Sequence, residues 1–296
     1  MSIVFRPDHR APIRPRSSPE VIKTLARRLT DRDRRLMRLV WRHKVLTTDQ
    51  LAALGWNSYN TAKQRLATLH RLRALDRVRP WQPRGGSPWH YVIDQPGAEI
   101  LAAEEGRTLR EFGYRRDRAL ANVTSIRLSH TIGVNQFFTD LYSHAREKVH
   151  DAHLWWRTEE ECAALWGDIV RPDGAGTWTM GDASASVFLE YDNGTERLHR
   201  LAAKLDAYRE LAASADVRGL VLFYLPSRRR EAHVRRALGA ATPVPVGTAV
   251  HGDHPARPVW TRVDDPQLRP RVLTDLASGA EQVHQPPLFD WRDAHD

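Results

Sequence analysis

One cysteine, three methionines and no long apolar run set the first limits on this chain of 296 residues. A lone thiol, Cys162, excludes an intramolecular disulfide framework and a cysteine-based zinc cluster. It fits a reducing, cytoplasmic setting. No stretch approaches the roughly 18 apolar residues of a membrane-spanning helix. The N-terminus has no apolar signal-peptide core. No internal repeat is visible, so a solenoid or propeller is not expected. What is present is apolar residue at 41% and a formal charge of +9. That composition supports real cores. Most of the positive charge is arginine, whose planar fork suits phosphate, so a polyanionic partner is expected, most simply nucleic acid.

Residues 1–29 are rich in proline and arginine at their start and read as a flexible basic arm. From Thr30 the pattern turns helical. Thr30-Asp31-Arg32-Asp33 offers a cap and first-turn acids, and Leu36, Leu39 and Val40 recur at helical spacing. Thr47–Gln50 caps a second helix that Gly55 closes. Asn57-Ser58 opens a third, reaching about Ala74, with Ala62, Leu66, Leu69 and Leu72 on one side. Asp76–Trp81 and Trp89–Ile93 read as two strands around Pro83-Arg84-Gly85-Gly86-Ser87. Three helices and a glycine-containing ribbon form a winged helix-turn-helix pattern over residues 30–106. Its third helix would enter the major groove of double-stranded DNA, with Ser58, Asn60, Thr61, Gln64 and Arg65 near base edges and Arg84 at the wing tip. A winged helix that contacts protein instead is the alternative. Residues 107–118 read as a linker.

The domain expected at 119–241 begins with one long helix from Ala119 to His150. Strands follow at Ala152–Arg157, at Ile169–Arg171 with a continuation at Thr177–Met180, and at Ala185–Tyr191. A helix to about Ser214 and a strand at Val217–Tyr224 complete it. Asp173 follows Pro172. Glu190 and Asp192 lie two apart, hence on one face of a strand. Three convergent carboxylates repel unless a divalent cation neutralises them, and hard oxygen ligands suit Mg²⁺ or Mn²⁺. The alternative is a solvated hairpin end whose acids keep the strand edge soluble.

This order of elements, with Asp173 and Glu190 so placed, resembles the PD-(D/E)XK nuclease superfamily. The resemblance implies metal binding by Asp173 and Glu190, with Asp192 beside them, and a catalytic Lys. Asp192 stands where that Lys is usual. Lys204, on the following helix with Arg200 and Tyr208 at four-residue intervals, is the replacement candidate. The whole run of a winged helix, LSH, RPDG, FLEYDNGTE and K-L-x-x-Y resembles the replication-relaxation family of actinobacterial plasmids and integrative elements. It implies a DNA-binding protein of replication or mobilisation, with a Mg²⁺-dependent endonuclease or nickase as the leading reading. The alternatives are a non-catalytic regulator on a degenerate nuclease fold and a Tyr-based relaxase using Tyr114, Tyr142, Tyr191 or Tyr208. No His-x-His cluster supports the relaxase.

Residues 242–296 read as a Pro-rich extension and tail, with Val244–Val250 and Val259–Val263 as possible strands, preceded by a basic helix at Arg228–Ala241. Gln285-Pro286-Pro287-Leu288-Phe289 resembles the short peptide by which bacterial replication proteins bind the sliding clamp. Gln285, Leu288 and Phe289 would be its anchors. The expected fold class is α+β: a winged helix-turn-helix joined to a nuclease-like α/β domain with a central mixed sheet.

Overall fold

Polar caps decide where the first helices begin. The computed structural model describes residues 17–80, 86–147 and 151–277. These separate into one unit up to Asn135 and a second from Gln136. Helix α1 (Pro19–Arg28) starts behind Ser18, whose hydroxyl accepts from the amide of Val21, with Pro19 in the first turn. Leu25 is fully buried, so the basic arm expected over 1–29 is a packed helix along this part.

Helix α2 (Asp31–Arg42) carries a reciprocal box in which Thr30 and Asp33 satisfy each other's backbone amides. Strand β1 (Leu46–Thr47) leads into α3 (Thr48–Gly55), capped the same way by Thr47 and Gln50. Helix α4 (Tyr59–Arg71) follows Ser58 and buries Ala62, Leu66 and Leu69. Strands β2 (Leu75–Val78) and β3 (His90–Ile93) are shorter than expected. The sheet is antiparallel, in the order β1-β3-β2, with Leu46 opposite Tyr91 and Leu75 opposite Ile93. Helix α5 (Gln95–Glu104) follows the Asp94 cap.

Residues 107–118 are not a bare linker. They hold α6 (Leu109–Phe112) and the start of α7 (Arg116–Thr124). Phe112 and Tyr114 are buried, and Phe112 stacks on Trp41 with ring centres 4.6 Å apart. The single long helix expected from Ala119 is broken at Ser125. That residue is extended, and its hydroxyl and carbonyl accept from the amides of Arg127 and Leu128 at 3.1 and 3.0 Å. Serine's bonding to nearby backbone amides favours such a restart. Helix α8 (Leu128–Glu147) begins there.

The second unit is built on a six-stranded mixed sheet. Strand β4 (Ala152–Thr158) runs into α9 (Glu159–Trp166), a helix that three first-turn glutamates and a Thr158–Glu161 capping box explain after the fact. The strand expected at Ile169–Arg171 is absent. The amides of Ile169 and Val170 turn back to the Trp166 carbonyl at 2.9 and 2.8 Å instead. Strands β5 (Gly174–Met180) and β6 (Ala183–Tyr191) form a hairpin, and α10 (Leu198–Ala215) crosses to β7 (Leu220–Leu225). Helix α11 (Arg228–Leu238) crosses to β8 (Val246–Val250), and β9 (Thr261–Arg262) and α12 (Leu273–Leu276) close the described chain. The order is β4-β5-β6-β7-β8-β9, parallel at β6/β7 and β7/β8 and antiparallel elsewhere.

Strand β7 reads LVLFYL and is buried along its whole length, as a strand covered on both faces should be. On one face Ala175, Phe188, Val221 and Phe223 pack with Cys162 of α9, Leu201, Leu205 and Tyr208 of α10, and Val234 of α11. On the other face Phe137 of α8 meets Tyr224 and Trp260 edge-on, and Phe138 stacks on Trp156 at 5.3 Å. The domain expected to end at residue 241 therefore extends through β8 and β9. Among the described residues no helix is long and apolar enough to cross a membrane.

Candidate active site

The end of β6 brings the expected acids and the expected lysine together, but not all of them. Phe188 and Glu190 point to the face that α10 covers. Glu190 is 2% exposed. Its Oε2 accepts from Lys204 Nζ at 2.7 Å and its Oε1 from the Tyr208 hydroxyl at 2.6 Å. Lys204 and Tyr208 are four apart on α10, so one helix face delivers both. Lys204 also reaches Glu196 Oε2 at 3.1 Å.

Asp173 stands immediately before β5. Its amide donates to the Leu189 carbonyl at 3.0 Å and its Oδ2 accepts from the Tyr191 amide at 2.8 Å, which fixes it beside the end of β6. Gly174 next to it has no room for a side chain, since a Cβ there would lie 2.6 Å from Phe138. Burial pushes the Glu190 carboxyl up to about 7, against the pull of Lys204 and with help from the nearby charge of Asp173. Burial also opposes the charge on Lys204. Glu190 and Glu196 outweigh it and hold the ammonium above its ordinary value. Burial and Glu190 push the Tyr208 phenol far up.

Asp192 does not join this cluster. Strand β6 ends at Tyr191, so the two-residue alternation that was to bring Asp192 alongside Glu190 stops one residue short. Its Oδ2 accepts from Arg230 Nε at 2.7 Å and its Oδ1 from the Gly194 amide at 2.7 Å. Arg230 also donates to the Glu196 carbonyl. Among the described residues, no three His, Cys, Asp or Glu side chains form a group that could hold a metal ion. The three-carboxylate cage expected from sequence is thus reduced to Asp173 and Glu190.

Residues 37–220, more than half of the chain, match the replication-relaxation family. The chain belongs to that family. No curated protein matches it. The matched span contains Asp173, Glu190, Lys204 and Tyr208; Arg230 lies beyond it.

Within this replication-relaxation protein, α4 presents most of the expected DNA-contacting residues to solvent. Asn60, Thr61 and Gln64 are exposed. Ser58 is exposed as well, but its hydroxyl accepts from the Thr61 amide at 3.4 Å as the helix cap. Arg65 differs from expectation. It pairs with Asp33, which is 1% exposed, through Nε at 3.0 Å and a second short contact, and donates to the Arg28 carbonyl at 2.9 Å. Arg65 therefore ties α4 to α2 and the end of α1. Arg84, and Gln285, Leu288 and Phe289 of the tail, lie outside the described residues.

Three of the four tyrosines offered as nucleophiles are poorly placed for that work. Tyr114 is buried and its hydroxyl has no partner among the described residues. Tyr208 donates to Glu190. Tyr191 stacks on His251 at 4.1 Å, and burial pushes its phenol up to about 12. Sequence reading missed Glu196 and Arg230. Glu196 lies before α10 begins at Leu198, so no helix spacing ties it to Lys204, and nothing local links Arg230 to Asp192.

Proposed function

We propose that the chain is a duplex-DNA-binding protein of plasmid or other mobile-element replication or mobilisation, and that its second unit is a PD-(D/E)XK-like domain that nicks or cleaves DNA with Mg²⁺ or Mn²⁺. The observation that carries this reading is the 2.7 Å contact from Lys204 to Glu190. The lysine missing from the strand is supplied by the next helix, beside the acid that needs it.

The donor set fits the cation. Mg²⁺ commonly takes one or two carboxylates and fills its remaining positions with water and substrate phosphate. Asp173 and Glu190 are two hard oxygen donors whose mutual repulsion a cation would relieve. When bound, the cation supplies Lewis acidity that lowers the pKa of water and neutralises phosphate charge. Tyr208 holds the Glu190 carboxylate in one orientation. Lys204, with its side chain 33% exposed, offers a positive charge to an incoming phosphate or water from the cluster's open side. Glu196 keeps the lysine charged and aimed.

In the first unit, the order α2-β1-α3-α4-β2-β3 with β1 paired to β3 supports a winged helix. Helix α4 is then the recognition helix, read through Asn60, Thr61 and Gln64. Gln285, Leu288 and Phe289 are retained as a sliding-clamp peptide, to be tested by clamp pull-down after their deletion. The decisive experiment is nicking of supercoiled plasmid. Wild-type protein nicks with Mg²⁺ or Mn²⁺, and Asp173→Ala abolishes nicking while keeping duplex binding. Binding without cleavage under either cation overturns the enzyme. The regulator reading would then stand, favoured by Asp192 being held by Arg230 and by both Glu190 oxygens already accepting hydrogen bonds.

A further inference from the structure

The face of the large sheet that carries Glu190 is covered by helices over only part of its area. Toward the other end of the β5–β6 hairpin, Thr177, Thr179, Ser184 and Ser186 on that face are all partly exposed. Thr177 lies opposite Ser186 and opposite Trp155 of β4, so these three form one row across three strands. Beside the row a shallow cleft, open to solvent, is lined by the rings of Trp155 and of Trp166 from α9, with Arg218 also in its lining. Gly176 contributes to the lining and cannot carry a side chain, because a Cβ would lie 2.5 Å from the Trp155 carbonyl. The Arg157 guanidinium sits 4.5 Å from the Trp155 ring centre. The Trp155 indole N–H is buried and donates to no protein atom among the described residues.

Each feature selects a ligand property. Two indole walls favour a flat π ring, and a guanidinium over one indole strengthens such stacking. The hydroxyls of Thr177 and Ser186 in the lining supply bonding to polar ring edges. The positive charge of Arg218 in the lining and a chain of net charge +9 favour a phosphate attached to that ring. We propose that this cleft binds an unpaired nucleobase of single-stranded DNA, with Trp155 as the stacking surface. In a duplex the base faces are closed by their neighbours, so the site reads melted or displaced strand. Ser186 and Glu190 are four positions apart on β6, about 13 Å at strand rise. The cleft is therefore separate from the acid–lysine cluster. The inference rests on the nucleic-acid reading above, but not on cleavage.

The test uses the whole protein in chelator, where no cleavage can occur, with a fluorescein-labelled oligothymidylate read by anisotropy. Wild-type protein binds it, Trp155→Ala weakens binding about 5- to 100-fold, and Trp155→Phe retains most of it. Duplex binding by the folded variant stays unchanged. Photo-crosslinking of a 5-iododeoxyuridine oligonucleotide to the wild-type chain gives a second readout, independent of whether a variant folds. The adduct should map to the peptides holding Trp155 or Trp166. No oligothymidylate binding by the wild type, equal affinity in Trp155→Ala, or an adduct elsewhere each overturns the proposal. Loss of plasmid nicking in Asp173→Ala with oligothymidylate affinity intact separates this site from the catalytic one.

Discussion

Glu190 carries a charge that its surroundings resist. Its folded-state value of about 7 lies above the ordinary 4.5, so between those values the native chain holds more of the proton than the unfolded one. Stability from this group is complete below 4.5 and declines as pH rises toward about 7. We expect the melting temperature of the wild type to fall more across that window than that of Glu190→Gln; parallel slopes would discard the assignment. Lys204→Met removes the partner of a buried acid. The expected cost is about 1–3 kcal/mol, toward the lower end because the ammonium is one-third exposed, and smaller below pH 7, where Glu190 takes a proton instead. Urea melts at two pH values measure it. The lysine's position beside Glu190 was legible in advance from the four-residue spacing of Lys204 and Tyr208. The loss of Asp192 was legible too but overlooked, because face alternation applies only while the strand lasts, and the Asn-Gly turn signal after Asp192 already placed its end at Tyr191.

At the scale of elements, the loop between β6 and α10 is held from a distance. Arg230 of α11 bonds both Asp192 and the Glu196 carbonyl, and Gly194 between them has φ +83°, a conformation that glycine adopts without strain. Arg230→Ala leaves Asp192, 5% exposed, without its cation, and should cost about 3–5 kcal/mol. Adding Asp192→Asn should restore much of it; calorimetry showing no restoration would mean that Arg230 acts through other contacts. On α4 the consequences divide. Gln64→Ala and Asn60→Ala should each weaken specific duplex binding by about 1–3 kcal/mol without moving the melting temperature. Arg65→Ala should lower the melting temperature, because its guanidinium is engaged with Asp33. Helices α2, α3 and α4 were readable because Thr30, Thr47 and Ser58 are caps in sequence as in structure. The break at Ser125 was hidden by apolar residues on both sides, among them Ile126, which is fully exposed.

At the scale of the molecule, the sequence conveyed the alternation of strands and helices up to Tyr224 but placed the end of the domain too early. Val244–Val250 and Val259–Val263 read as strands, but the surrounding prolines put them in an extension, whereas β8 pairs in parallel with β7 and β9 pairs with β8. Pairing partners distant in sequence leave no local signature. A chain ending at residue 241 should therefore lose cooperative melting of the second unit, and one ending at residue 277 should keep it. The net charge of +9 predicts duplex affinity that falls linearly on a log–log plot against salt.

The single thiol gives the molecule a built-in gauge. Cys162 is completely buried, in the same core as Tyr208 and Phe188, under the acid–lysine pair. A maleimide reaches it only when α9 lifts from the sheet. The labelling rate of the unaltered chain thus counts openings of the core beneath the site, with no engineered probe. If divalent cation binds Asp173 and Glu190, those openings become rarer and labelling slows in proportion to cation bound.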